Sequence, residues 1–243
     1  MEKIHLSVII PAYNEEKRLA STLKEIDEYL KKQDYSSEII VVNDGSKDAT
    51  AEVVRRLTQQ IQNLKLIDNK VNRGKGYVVR QGLLAGKGEF RLFTDADNST
   101  PINQIEKMWP EFEKDYDIVI GSRDIKGAIL DPPQPFHRRV LGKIFRLLTH
   151  LICGTWGIKD SQCGFKCFSE RAAKDIFSRT KIDRWAFDVE VLALARRLGY
   201  KIAIIPVYWK NDPHSHVKLK AYFRVLWELI KIRINLWRNV YQI

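Results

Sequence analysis

Residues 5–15 read HLSVIIPAYNE and residues 38–46 read EIIVVNDGS. Each is an apolar, largely β-branched run that stops abruptly in polar and turn-forming residues. Runs of this length, apolar almost without alternation, mark strands buried on both faces. Residues 89–97, EFRLFTDAD, follow the same plan, interrupted by a single arginine. Between the runs the apolar spacing becomes helical, over Glu16–Lys32, over Lys47–Gln62 with Ser46 as N-cap, and over Lys75–Ala85. Leu64–Asp68 and Asp117–Ile120 add short strands, and Pro101–Lys114 reads as a helix opened by proline. Strands separated by helices of this length need right-handed crossovers. The expected class is therefore α/β, a mainly parallel sheet with helices on both faces.

The second half is organised differently. Gly127–Pro135 holds three prolines and reads as a loop. Phe136–Ile152 is apolar and basic with helical spacing. Lys159–Phe168 reads as a short extended piece, Phe187–Leu198 as a helix and Lys201–Val207 as a strand. From Leu219 onward, Arg224, Glu228, Lys231, Asn235, Arg238 and Gln242 alternate steps of four and three, which forms one polar stripe on a helix. Nearly everything else there is large and apolar, so this amphipathic tail must bury a broad face in its own domain, a membrane interface or a partner. With no repeat or low-complexity linker, the chain divides as one domain over 1–215, in halves 1–125 and 126–215, and a basic helical tail over 216–243.

The 243 residues suffice for one sizeable core. Three cysteines at irregular spacing do not form a disulfide framework and fit a reducing compartment. Cys163 and Cys167 lack the second pair a structural zinc needs. The apolar run Leu6–Ile10 is too brief for a signal core, and no stretch of eighteen uncharged apolar residues suggests a spanning helix. The net charge of +11 is concentrated late: Ser122–Leu147 has six basic and two acidic residues, and His216–Ile243 six basic and one acidic. Such a surface suits a phosphorylated substrate, an anionic membrane or nucleic acid, or is simply solvated. No recognised nucleic-acid module is present, and no nucleic-acid partner is expected.

In an open parallel sheet ligands bind beyond the carboxyl ends of the strands. Those ends carry Pro11-Ala12-Tyr13-Asn14-Glu15, Asn43-Asp44-Gly45-Ser46, Asn72-Arg73-Gly74-Lys75-Gly76, Asp95-Ala96-Asp97 and Gly121-Ser122-Arg123. Asp95 and Asp97 directly follow a strand. They either share a divalent cation, Mg²⁺ or Mn²⁺ by their oxygen ligands, or serve as a helix cap. Asp44 either accepts from a base N–H or closes an ordinary turn. Arg73 to Gly76 offer backbone N–H groups and two cations at a helix start, an anion site or simply a loop.

The order and spacing of the first, second and fourth of these motifs resemble family 2 glycosyltransferases of the GT-A, Rossmann-like fold. These are inverting enzymes that use nucleotide sugars. The resemblance implies a nucleotide-sugar-binding half over 1–125 and an acceptor half over 126–215. It places Pro11, Tyr13, Glu15 and Asp44 on the base and ribose, Asp95 on the nucleotide side and Asp97 on the metal. With Lys75 from the anion site, and Ala96 between the acids, Lys75, Asp95 and Ala96 are the expected donor contacts and Asp95 and Asp97 the expected metal pair. Asp160-Ser161-Gln162-Cys163-Gly164-Phe165-Lys166 and Arg184-Trp185-Ala186-Phe187-Asp188-Val189-Glu190 are similar to the dolichyl-phosphate β-glucosyltransferase branch, and less closely to the mannose synthases. That branch implies UDP-glucose and a polyprenyl phosphate, and the basic apolar segments add the expectation of a peripheral seat on the cytoplasmic face of a membrane. GDP-mannose or a hydroxyl acceptor are the alternatives, and a non-catalytic nucleotide-binding protein a remoter one.

A phosphate monoester is already ionised near neutral pH, so its transfer needs alignment and charge neutralisation more than a strong base. Arg123, Arg138, Arg139 and Lys166 are the candidate acceptor-phosphate ligands, Arg123 first because it follows the fifth strand. Trp185 either lines the sugar pocket or packs in the core. Asp188 is a site residue whose role is open: base for a hydroxyl acceptor, ligand of donor hydroxyls, acceptor-orienting group or helix cap. Arg123, Asp97 and Asp188 form the candidate catalytic set. His214 or His216 are candidates to complete the metal shell.

Overall fold

A computed structural model describes residues 3–133, 136–210 and 219–243. The apolar runs become a seven-stranded sheet from β1 (Leu6–Ala12), β2 (Ser37–Asp44), β3 (Leu64–Asn69), β4 (Phe90–Thr94), β5 (Ile118–Ser122), β7 (Phe165–Ser169) and β8 (Ile202–Pro206). Their order is β3-β2-β1-β4-β7-β5-β8. All neighbours are parallel except at β7, which runs antiparallel to both β4 and β5. A separate two-stranded ribbon pairs β6 (Ile129–Asp131) with β9 (Tyr208–Lys210).

Strand alternation divides the interior in two. Leu6, Val8 and Ile10 face one core, shared with α1 (Leu19–Leu30) and α2 (Thr50–Leu57). Ile9 and Phe93 face the other, built with α3 (Lys75–Ala85), α6 (Glu170–Arg179), α7 (Phe187–Arg197) and the last helix, α8 (Leu219–Trp237). Between β4 and β5 lies the short helix α4 (Trp109–Phe112), and after β6 the long helix α5 (Phe136–Cys153). The expected mainly parallel sheet with helices on both faces is present.

Several local expectations differ. Pro101–Lys114 is not one helix: a 3₁₀ segment, Ile102–Lys107, gives way to α4, because Pro110 has no N–H to continue the ladder. Ser46 is not a helix N-cap. Its hydroxyl donates to Asn43 Oδ1 at 2.5 Å and accepts from Asn14 N at 3.0 Å, while Asp48 takes the Thr50 N–H at the start of α2. The proline-rich loop contains β6, and the helix α6, capped by the Ser169 hydroxyl with Ala172, Ala173, Ile176 and Phe177 on its buried face, follows β7 in a segment for which no helix was expected.

The tail is turned differently from its polar stripe. Glu228 and Asn235 face inward with specific partners: Glu228 accepts from Ala186 N at 2.9 Å, and Asn235 Nδ2 donates to the Tyr241 hydroxyl at 3.3 Å. Leu229, Ile232, Leu236 and Tyr241 are buried in the second core, whereas Trp227 and Trp237 are exposed, the latter by 84%. Among the described residues no helix is long and apolar enough to cross a membrane. Ile232→Ala should therefore lower the unfolding free energy by about 2–5 kcal/mol, as a core truncation does. Trp237→Ala should change it by no more than about 0.5 kcal/mol. Urea titration of the two variants checks both.

Candidate active site

The strand-end loops meet at the carboxyl edge of β1, β2 and β4. The first two are laced together, Lys47 N donating to Asn14 Oδ1 at 2.9 Å and Glu15 N to Thr50 Oγ1 at 2.8 Å. Pro11 is buried within β1 and Tyr13 stands half exposed beyond it. Glu15 is engaged by the Arg18 guanidinium. Asp44 is buried at the end of β2, and its two oxygens accept the backbone N–H groups of Arg73 at 2.7 Å and Gly74 at 2.9 Å. A carboxylate so used shapes the turn into α3. Gly74 there has φ 112°, and a Cβ on it would lie 2.5 Å from the Asp183 carbonyl.

That turn delivers Lys75, whose ammonium meets Asp95 Oδ1 at 2.6 Å. Burial opposes its charge, yet the carboxylates of Asp95, Asp188 and Asp97 together hold the Lys75 pKa above the usual lysine value. Ala96 is buried, its carbonyl accepting the Thr22 hydroxyl at 2.8 Å. Asp97 is partly exposed and its Oδ1 accepts the Ser99 N–H at 2.9 Å, a local turn bond. Two partly exposed carboxylates one residue apart, at a strand end, are a fitting oxygen donor pair for a hard divalent cation that the donor's phosphates would complete. No group of three metal-ligating side chains occurs among the described residues, and His214 and His216 lie outside them.

The acceptor half approaches through residues 160–166. Asp95 N donates to the Gly164 carbonyl at 3.2 Å, and a Cβ at Gly164 would fall 1.9 Å from Asp95 Oδ2. Arg123 and Asp160 form a fork: Nε to Oδ2 at 2.8 Å and Nη2 to Oδ1 at 2.9 Å. Although burial opposes ionisation, the Arg123 guanidinium holds the Asp160 carboxyl down at about 2. The charge of Arg123 is thus largely neutralised within the protein.

Lys166 and Trp185 were expected at the acceptor. Lys166 is instead sealed, its ammonium donating to the Cys163 carbonyl and to Asp188 Oδ1, each at 2.5 Å. Asp188 is buried as well, and burial pushes its carboxyl upward while Lys166 and Lys75 pull it down. Trp185 is half exposed. The side chains of Arg138 and Arg139, on α5, lie outside the described residues. A cavity of about 330 Å³ opens beside Arg123, lined by Lys143, Arg146 and Lys159 together with Leu130, Phe145 and Ile158. Sequence reading missed Lys143, Arg146 and Lys159. The clustered basic residues of 122–147 signalled the first two, but only folding sets them around one space.

These features fall within a known family. The family model "Glycosyl transferase family 2" matches residues 7–177. A dolichyl-phosphate β-glucosyltransferase of Trichomonas vaginalis is 38% identical, over 97% of this chain and 76% of that protein. The dolichyl-phosphate β-glucosyltransferase of Homo sapiens is 37% identical, over 95% of this chain and 75% of its own. Glucosyl-3-phosphoglycerate synthase from Mycobacterium tuberculosis, crystallised with Mn²⁺, UDP and glucosyl-3-phosphoglycerate, shares the fold at a TM-score of 0.69 and 19% identity, over 94% of this chain and 78% of that one. The chain belongs to glycosyl transferase family 2. It is a hexosyltransferase with the GT-A fold.

Two variants test the geometry. Gly164→Ala should displace the Asp95 carboxylate and lower turnover on the order of a hundredfold, with the far-ultraviolet spectrum unchanged. Asp160→Asn should cost about 3 kcal/mol, the low end for a broken buried pair because Arg123 keeps 22% of its side chain exposed. Because the Asp160 pKa is depressed from 3.8 to about 2, its contribution is present above about pH 4 and is lost as pH falls toward 2. Urea midpoints across that range should fall in the wild type, and Asp160→Asn should lack this component of the fall.

Proposed function

We propose that the enzyme transfers glucose from UDP-glucose to a polyprenyl phosphate of the dolichyl type at the cytoplasmic surface of a membrane. The observation that carries the reading is the basic cavity beside the donor edge, whose wall α5 also presents an apolar face outward. From α5, Gly142, Lys143, Phe145, Arg146 and Thr149 line the cavity, while Val140, Ile144, Leu147 and Leu151 are exposed at spacings of four, three and four. A phosphate head with an isoprenoid chain matches that division. The dolichyl-phosphate glucosyltransferases that share over a third of the sequence support glucose as the sugar and a dolichyl-type phosphate as the acceptor.

The surface chemistry supports a lipid interface. On α8, Leu226, Trp227, Ile230, Ile234 and Trp237 are exposed, and Arg224, Lys231, Arg233 and Arg238 are exposed around them. Helices α5 and α8 pack against each other, so the two apolar stripes belong to one part of the molecule. Large apolar side chains ringed by cations suit the boundary of an anionic bilayer.

In the reaction, an acceptor phosphate oxygen forms a bond to the anomeric carbon as the bond to the UDP oxygen breaks, its electron pair leaving on the diphosphate. The attacking phosphate is ionised, and no proton need be removed from it. Asp95 and Asp97 would hold a Mg²⁺ or Mn²⁺ ion, which supplies charge neutralisation for the leaving diphosphate. Lys75, fixed against Asp95, adds a second positive charge there. Tyr13, Glu15 and Asp44 border the nucleoside, Asp44 by shaping the Arg73-Gly74 turn. Lys143 and Lys159 orient the acceptor phosphate beside Arg146, which is paired with Asp124, and Arg123 fixes the wall through Asp160. Asp188 serves this reaction as the partner that keeps Lys166 in place. An acceptor hydroxyl seeking it as a base would first have to displace that ammonium.

The test is a purified-protein assay with UDP-glucose, Mn²⁺ and a short polyprenyl phosphate. Glucosylated lipid and UDP should form in equal amounts. Efficient transfer to a sugar hydroxyl with none to the lipid would overturn the reading. Replacing Trp227 and Trp237 together by Ala should weaken binding to vesicles containing anionic phospholipid by about tenfold or more, while turnover of a water-soluble short-chain acceptor persists.

A further inference from the structure

The N-terminus of α7 carries Asp188 into the site, yet no side chain of its own segment caps it. The first N–H groups of a helix need an external acceptor. Here it comes from a distant element: Glu228 on α8, nine-tenths buried, accepts from Ala186 N at 2.9 Å. The preceding segment is held from its other end. Glu190, fully buried, accepts the Lys181 N–H at 2.9 Å and the Ile182 N–H at 3.0 Å, and it receives the Tyr241 hydroxyl at 2.7 Å. Both latches therefore involve the C-terminal tail.

The latched segment touches the donor side as well. The Asp183 carbonyl accepts from Tyr77 N at 3.0 Å in the first turn of α3, and Arg80 Nη2 donates to Asp183 Oδ1 at 2.7 Å. Phe187 sets its ring edge against Phe93 with centroids 5.8 Å apart. One residue further, Asp188 grips Lys166. On α8, the residue before Glu228 is the exposed Trp227.

We infer that Glu228 is a positioning residue for sugar transfer: by accepting the Ala186 N–H it fixes the start of α7, and so the placement of Asp188 and Lys166 beside Lys75 and Asp95. Burial raises the pKa of Glu228, but the hydrogen bond needs only an acceptor oxygen, which an amide also supplies. Glu228→Gln should therefore behave as the wild type. Glu228→Met, which keeps the volume and removes the acceptor, should not.

The test compares Glu228→Met and Glu228→Gln in the full chain by two readouts. Amide exchange over residues 184–188 should accelerate in the Met variant and stay at the wild-type rate in the Gln variant. With UDP-glucose and a short polyprenyl phosphate, the Met variant should lose about tenfold in kcat with donor KM nearly unchanged, since Asp44 still holds the Arg73-Gly74 turn. Gln should restore kcat. The activity readout rests on the donor and acceptor proposed above. Wild-type turnover decides that reading, whereas the exchange data and the variant-to-wild-type ratio decide this one. Should Glu228→Met not fold, Glu228→Leu, which likewise offers no acceptor oxygen and leaves no space for a water, takes its place with the same expected direction. Equal exchange and equal kcat in all variants, or a Gln variant as impaired as Met, overturns the inference.

Discussion

Where β7 enters the sheet, its backbone passes so close to the acidic pair that Gly164 leaves no room for a side chain against Asp95. The Asp95 N–H donates to the Gly164 carbonyl, and from there β7 runs antiparallel between β4 and β5. One strand thus joins the half that ends in the donor motifs to the half that ends in Arg123. The residues leading into it set three contacts in order. Asp160 holds Arg123, the Cys163 carbonyl holds Lys166, and Gly164 meets Asp95. A shift of this strand by one residue would misplace all three, because side-chain direction alternates along a strand.

The same edge is electrically ordered. Lys75 with Asp95, Lys166 with Asp188 and Arg123 with Asp160 form three acid–base pairs. The more buried pairs, Lys166 with Asp188 and Arg123 with Asp160, gain little net stability over apolar packing because desolvation offsets their attraction, and the partly exposed Lys75–Asp95 pair is screened by water. What they fix is position. Each cation has one geometry, so the site meets an incoming diphosphate with its charges already placed and little reorganisation to perform. The unevenness is informative too. Arg123 and Lys166 are spent on internal partners, whereas Lys143 and Lys159 remain exposed at the cavity and carry the charge that an external anion would meet.

The donor half was legible because its strands are buried on both faces and therefore stand out as apolar runs. Each run ends where the polar motif begins, so Asp44, Asp95 and Arg123 could be placed at strand ends from the sequence alone. The reversed direction of β7 was not legible, since a five-residue strand has the same pattern in either sense. Nor were the ion partners. Asp160 stood only as the first residue of a motif and Lys166 as a candidate phosphate ligand, because pairing across 37 and 22 residues is decided by the sheet. Pro110 gave a signal that the proline at 101 obscured. Two prolines in one helical pattern should divide it, as they do here.

The tail departs from the usual logic of an amphipathic helix at particular positions. For a helix facing water, polar residues lie outside and apolar ones inside. On α8, Glu228 and Asn235 are turned inward and each meets a specific partner, while Trp227, Ile230, Ile234 and Trp237 are turned outward. A buried carboxylate is tolerable only with donors to satisfy it, and Ala186 N supplies one from the start of α7. Outward tryptophans suit a boundary between water and hydrocarbon, where the ring is apolar and its N–H can stay wet. The inward polar residues and the outward aromatic ones are therefore two parts of one arrangement. The first ties the tail to the segment that carries Asp188, and the second gives the tail the surface on which a membrane seat is proposed. A helix with both properties links the place where a lipid phosphate would be met to the residues that align it.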